Sequence, residues 1–302
     1  MTQSTIKTWL ETARPRTLPL ALAIIFTGSA VAYWFGYFDW TITILCLLTA
    51  TLLQILSNFA NDYGDFQKGS DTAERIGPLR GIQKGHMTEA QLRKGLIVTI
   101  VLILISGFAL LSTAYQSMQD LIVFIALGIA SIVAAIAYTV GKKPYGYLGL
   151  GDLFVFLFFG LLAVVGTYYL QAHNINWTVF LPASGCGFLS VAVLNINNMR
   201  DIEQDRKAGK YTLVVRLGVD KSRVYHWMLL ISGILCYLLF SSINVNSIWG
   251  YLFIFAIPLL VKHGLFVYRS KDPLLLRPML GQMSLLALLT NVLFSIGLVL
   301  AK

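Results

Sequence analysis

Charge is what this sequence has least of. Only 12% of its 302 residues are Asp, Glu, Lys or Arg, about half of the roughly 25% usual in soluble globular domains. With 57% hydrophobic residues and a mean hydropathy of +0.71, that shortage excludes both a water-soluble globule and a disordered chain, and leaves a polytopic membrane protein. Cysteine is nearly as scarce. Cys46, Cys186 and Cys236 all lie in apolar segments without CxxC or Cys/His spacing, which excludes a disulfide framework and a zinc site and makes them small core residues. The four histidines, His86, His173, His226 and His263, show no ligand spacing, so no histidine metal centre is expected. A net charge of +9 in so apolar a chain points to basic residues confined to one side of a membrane, not to nucleic acid.

Long apolar runs are what the sequence has instead. The first, from Leu18 to about Gly36, follows Lys7, Arg14 and Arg16 in the manner of a signal peptide. It is longer than the roughly 7–15-residue core of a cleaved signal, so a membrane helix is expected. Further runs occur near 41–60, 96–115, 120–139, 152–171, 178–194, 225–241, 248–268 and 279–300. The expected fold is therefore an all-α membrane protein, one domain over residues 1–302, with about nine transmembrane helices. Pro19, Pro182 and Pro258 fall inside these runs, where membrane helices tolerate proline.

Basic residues alternate between the connections. Those near 37–40, 116–119, 172–177 and 242–247 contain no Lys or Arg, whereas the intervening ones carry Lys68 to Lys94, Lys142 and Lys143, Arg200 to Arg223, and Arg269 to Arg277. By the positive-inside rule the basic face is cytoplasmic, with the N-terminus inside and the C-terminus outside. Membrane lipid then surrounds the chain, and the expected location is a bacterial cytoplasmic (inner) membrane.

The few acids are concentrated on the same face. Asp62, Asp65, Asp71, Glu74, Asp201, Glu203 and Asp205 make up seven of the fourteen. They fall in two runs, Asn61 to Asp71 and Asn197 to Lys210, each at the exit of an apolar segment and each containing Asn-x-x-x-Asp, as Asn61/Asp65 and Asn197/Asp201. Ordinary solvated loops account for one such run, but give no reason for the repeat. Residues four apart share a helix face, so each run aims an amide oxygen and carboxylates at one point. Those are the hard oxygen donors that Mg²⁺ shares with a phosphate ligand.

Carboxylates mixed with Lys and Arg at a membrane surface suit a diphosphate ester, whose oxygens are bridged by the metal while basic side chains neutralise the remaining charge. An allylic ester would leave a delocalised cation on losing diphosphate, which calls for dryness and aromatic walls. Tyr63, Tyr138, Tyr145 and Tyr147 lie near the right ends of their segments, where aromatic belts also occur. Gly146, Gly149 and Gly151 follow no strand and are no dinucleotide fingerprint.

At these motifs the chain resembles the UbiA-type intramembrane prenyltransferases. The matching stretches are Ala13 to Pro19, Asn61 to Asp71, Arg75 to Gly81, Tyr138 to Asp152 and Asn197 to Leu217, and NDYGDFQKGSD with YTVGKKPYGYLGLGD resembles the branch that prenylates 1,4-dihydroxy-2-naphthoate. The resemblance implies a nine-helix bundle around a central cavity, capped by cytoplasmic loops carrying the two Asp-rich motifs. It implies Mg²⁺-dependent ionisation of a polyprenyl diphosphate, attack by the ring carbon bearing the carboxylate, and loss of carbon dioxide and a proton. Carried over motif by motif, Asn61, Asp65, Asp71, Asn198, Asp201 and Asp205 become the metal and diphosphate set, with Asp62 on the adjoining face. The same resemblance implies Asp65, Asp201 and Asp152 as the candidate catalytic residues.

Arg14 and Tyr145, within the matching stretches, are candidate substrate-binding residues. Lys68, Arg80, Lys142, Arg206 and Lys210 are candidates for binding diphosphate or the naphthoate carboxylate, although each is also an ordinary positive-inside residue. Asp152, after a Gly-rich turn, either caps a helix or orients or deprotonates the aromatic hydroxyl. Two other readings stay open: a divalent-cation transporter, and the same chemistry on another acceptor such as 4-hydroxybenzoate, a chlorin or haem. Against the transporter, the acids cluster at segment ends and not near the bilayer midplane.

Overall fold

The computed structural model describes residues 3–69 and 81–302, and every regular element among them is helical. An N-terminal helix α1 (Gln3–Ala13) precedes α2 (Leu18–Phe35), α3 (Trp40–Gln67), α4 (Glu89–Thr113), α5 (Met118–Ala137), α6 (Gly151–Ala172) and α7 (Trp177–Arg200). Two short helices follow, α8 (Ile202–Lys207) and α9 (Leu213–Leu217). The last three are α10 (Val219–Asn244), α11 (Ile248–Arg269) and α12 (Pro273–Ala301). Nine of these, α2–α7 and α10–α12, are long and apolar enough to cross a membrane, at 18 to 29 residues each. At about 1.5 Å per residue the shortest spans about 27 Å, close to the roughly 30 Å hydrocarbon core once interfacial residues are added.

The helices start where the sequence supplies caps. The Asp39 carboxylate accepts from the Ile42 amide, Thr88 and Gln91 form a reciprocal capping box, and Ser117 accepts from the Asp120 amide, each satisfying amides that the first turn leaves open. The prolines sit at beginnings too. Pro19 is in the first turn of α2, and Pro258 stands where the 3₁₀ stretch Ile248–Ala256 becomes α-helix, positions at which a missing N–H costs little.

Several helices run past the expected ends, and this relocates the acidic runs. The apolar segments at 41–60 and 178–194 become helices ending at Gln67 and Arg200. Asn61, Asp62, Asp65, Asn197 and Asn198 therefore lie within helices, Asp201 caps α7 and Asp205 lies in α8, instead of all being carried by capping loops. Hydropathy stops at the first polar residue, whereas a helix continues while its polar side chains share one face with an outlet.

α7 packs along α10 and α6, α2 against α12, α6 and α3, and α4 against α3. Small residues allow these approaches. A Cβ on Gly160 of α6 would lie 2.6 Å from the Gly187 Cα and 2.7 Å from the Ala183 carbonyl of α7, and one on Gly64 would lie 2.7 Å from the Thr139 backbone. Within α6, residues Phe156–Leu162 form a π-helical turn. Helix α5 is the least enclosed, with Ala134 its one buried residue; its outer face meets lipid in a bilayer.

Two sequence-distant histidines meet inside the bundle. His226 and His263 are buried, with ring centroids 5.4 Å apart. His226 lies beside Asn195 and His263 beside Gln282.

Candidate active site

Two cavity walls derive from helical spacing alone. Gln54, Asn58, Asn61 and Asp65 recur along one face of α3, while Ser190, Leu194, Asn197 and Asp201 do so at the end of α7. Both stripes line a cavity of about 250 Å³. Gln204 and Asp205 of α8, then Lys210, complete its polar end, and Arg14 and Thr17 enter from the turn before α2. The remaining wall is apolar and aromatic. Leu20, Ile24 and Leu53 line it, with Tyr138, Tyr145, Phe154, Phe158 and Phe159. Phe158 and Phe159 come from the π-helical turn, a distortion frequent near functional sites.

The aromatic wall is tied together by its own contacts. The Tyr145 ring stacks on Phe154 at 4.1 Å and meets Tyr138 edge-on at 5.4 Å, while its hydroxyl donates to the Ala134 carbonyl at 2.8 Å. Burial pushes the Tyr138 phenol up to about 12 and raises Tyr145 as well. Both remain neutral π-faces at any ordinary pH.

At the polar end each acid is held differently. Asp65 Oδ1 accepts from the Tyr147 hydroxyl at 3.1 Å. The Tyr147 ring in turn has Lys68 Nζ at 5.3 Å and Lys210 Nζ at 5.6 Å from its centroid, so it links the two acidic runs through hydrogen-bond and cation–π contacts. Asp201 is gripped by Arg200, whose Nε lies 2.7 Å from Oδ1 and Nη2 2.5 Å from Oδ2. Asp205 Oδ1 pairs with Lys210 Nζ at 3.4 Å, while its buried Oδ2 has no hydrogen-bond partner. Burial raises the Asp205 carboxyl to about 6, in spite of Lys210. Burial also works against the Lys210 ammonium, but Asp205 and Asp65 outweigh it and keep its pKa above the usual lysine value.

Of the residues expected from sequence, Asn61, Asp65, Asp201, Asp205, Arg14, Lys210 and Tyr145 line this one cavity. Others do not. Asp62 is buried on the adjoining face of α3, where it pairs with Arg14. Asn197 lines the cavity where Asn198 was expected; Asn198 is buried outside the lining, with an unpartnered Oδ1. The correction follows from periodicity, because Asn197 is the residue one helical turn before Asp201. Asp152 neither reaches the cavity nor caps α6. It sits buried in the first turn and accepts from the Tyr225 hydroxyl at 3.3 Å. Lys68, Lys142 and Arg206 are exposed and outside the lining, Arg206 pairing with Glu203 at 3.3 Å. Asp71 and Arg80 lie outside the described residues.

Sequence reasoning missed Gln54, Asn58 and Gln204 in the lining, the grip of Arg200, and the contacts of Tyr147. The first two had a signal in their spacing from Asn61 and Asp65. The partners of Tyr147 and Arg200 had none.

The donor set suits a hard cation. Among the described residues no three His, Cys, Asp or Glu side chains close into a metal cage. Mg²⁺ ordinarily takes one or two carboxylates and completes its octahedron with water and substrate phosphate. Asp65, Asp201 and Asp205 with the amides of Asn61 and Asn197 fit that pattern, and the unpartnered buried Asp205 Oδ2 is an anionic oxygen in want of a cation.

Residues 21–293 match the model of the UbiA prenyltransferase family. The chain belongs to that family. Among its UbiA relatives is a 1,4-dihydroxy-2-naphthoate octaprenyltransferase of Haemophilus influenzae, 60% identical over 99% of this chain and 97% of the relative. The Escherichia coli protein of the same description is 53% identical over the same shares. The UbiA fold extends further than sequence identity. A UbiA homolog from Archaeoglobus fulgidus bound to GPP and Mg²⁺ superimposes with a TM-score of 0.58 at 17% identity, covering 96% of this chain and 100% of that one. One from Aeropyrum pernix gives 0.66 at 13% identity, covering 94% and 97%. This UbiA protein is a prenyltransferase, and the transporter reading falls away.

Proposed function

We propose that the protein transfers a polyprenyl group from polyprenyl diphosphate to 1,4-dihydroxy-2-naphthoate with decarboxylation, forming the prenylated naphthoquinol skeleton of demethylmenaquinone. The observation that carries this reading is a single cavity with both acidic runs at one end and an apolar, aromatic wall beyond. The acceptor rests on the relatives' description.

Asp65, Asp201, Asp205, Asn61 and Asn197 would hold Mg²⁺, which when bound neutralises charge on the departing diphosphate. Lys210 and Arg14 add fixed positive charge at the same end. As the allylic C–O bond breaks, its electron pair leaves with diphosphate. Tyr138, Tyr145 and Phe154 then offer π-faces to the carbocation, and the apolar wall keeps out water that would capture it. The ring carbon bearing the carboxylate forms the new C–C bond. The carboxylate then leaves that carbon as carbon dioxide, and the electron pair of the broken C–C bond restores aromaticity. The acidic end faces the cytoplasm of a bacterial inner membrane, a placement supported by the alternation of Lys and Arg.

The test is to incubate membranes containing the protein with labelled polyprenyl diphosphate, Mg²⁺ and a panel of aromatic acids, and follow label into lipid-soluble quinol. Label on dihydroxynaphthoate alone is the expected result. Transfer only to 4-hydroxybenzoate, or to none of the panel, overturns the acceptor assignment.

A further inference from the structure

We propose that Arg200 is a resident counter-cation, occupying Asp201 in the substrate-free protein so that the second acidic run takes up a divalent cation together with diphosphate and not ahead of it. The inference rests on the metal–diphosphate reading above. Three contacts carry it. The guanidinium, 5% exposed, meets both Asp201 oxygens at 2.7 and 2.5 Å and the Asn197 Oδ1 at 2.9 Å. Asp201 and Asn197 line the cavity, whereas Arg200 does not. One buried cation therefore satisfies the two donors that the end of α7 presents to the site, from behind. Lys210, which does line the cavity, pairs with one Asp205 oxygen at 3.4 Å and leaves the other without a partner.

A carboxylate gripped through both oxygens retains lone pairs for a metal, but the metal then comes within a few ångströms of a fixed positive charge. In a poorly solvated site that repulsion is strong. Diphosphate brings two or more negative charges and reverses the balance. The arrangement thus favours the metal–diphosphate pair over the metal alone, which a site built only from acids would not do. Arg200 acts here through Asp201; it is a positioning residue.

Purified protein in detergent is titrated with Mn²⁺, a paramagnetic stand-in of the same charge and similar oxygen preference, and free Mn²⁺ is followed by electron paramagnetic resonance with and without inorganic diphosphate. Wild type should bind Mn²⁺ weakly alone and much more tightly with diphosphate. In Arg200→Gln, which removes the charge and keeps a polar partner for Asn197, affinity for Mn²⁺ alone should rise roughly tenfold or more, and the enhancement by diphosphate should shrink. Arg200→Lys, which keeps the charge without the fork, should stay within about threefold of wild type; if the neutral variant does not fold, wild type decides, since Mn²⁺ binding as tight without diphosphate as with it overturns the inference. Unchanged or weaker Mn²⁺ binding in Arg200→Gln, or a tenfold shift in Arg200→Lys, overturns the inference. No Mn²⁺ uptake by wild type even with diphosphate overturns instead the metal–diphosphate reading beneath it.

Discussion

Asp65 and Asp201 occupy matching places at the ends of two helices, yet their surroundings predict different results for the same substitution. Asp65→Asn removes one anionic oxygen donor next to a neutral Tyr147 hydroxyl. Transfer should fall about a hundredfold or more, with thermal stability close to wild type. Asp201→Asn should lose at least as much activity, and should also melt lower, because the buried Arg200 is left without its carboxylate at a cost of about 3–5 kcal/mol. Normal transfer in both variants would remove the acids from the mechanism; equal melting temperatures would remove the structural distinction. Tyr147→Phe removes the hydroxyl that bonds Asp65 and keeps the ring between Lys68 and Lys210. A hydrogen bond to a charged group contributes about 1.5–3 kcal/mol, so the Mg²⁺ concentration for half-maximal rate should rise roughly tenfold or more. The acids and Asn61 were legible because their type and four-residue spacing are visible along the chain. Arg200 was not: its partner is the next residue, and no periodicity marks a side chain turning back on its neighbour. Nor was Tyr147, which lies 82 residues from Asp65.

Among the helices, the apolar cores were legible and the ends were not. Hydropathy placed the second span at 41–60, while α3 continues to Gln67 because its polar residues open onto the cavity and leave the backbone ladder untouched. The same mechanism carries α7 through Asn197 to Arg200. What hydropathy cannot register is how closely helices approach. Gly160→Ala places a methyl group 2.6 Å from the Gly187 Cα, where only backbone could yield. Overpacking of this kind costs about 1–3 kcal/mol, so the detergent-solubilised protein should melt several degrees lower. Gly107→Ala in α4 has open space around its added methyl and should melt at or slightly above wild type. Equal melting of the two variants would mean that α6 and α7 do not depend on that contact.

For the whole molecule the decisive pattern was charge. Alternating basic connections implied an odd number of crossings, and nine membrane-length helices lie among the described residues. A reporter fused after Lys302 should accordingly be periplasmic, and one inserted in the 81–88 connection cytoplasmic. A cytoplasmic C-terminus would contradict the odd count. The cavity itself was legible only as an implication of the family resemblance, since which helices surround a space is decided by packing between segments far apart in sequence.

Helices α3 and α7 both stop at the acidic end of the cavity, and both stop there with their C-termini. The aligned peptide dipoles of a helix leave roughly half an elementary negative charge at that end. Anion sites in proteins usually lie at the opposite pole, where amide N–H groups point outward. At these two helix ends the backbone disfavours a bare anion, and one is better held there behind a cation. Diphosphate should therefore leave together with a metal ion, and inorganic diphosphate should bind the purified protein far more weakly in the presence of a chelator than in the presence of Mg²⁺.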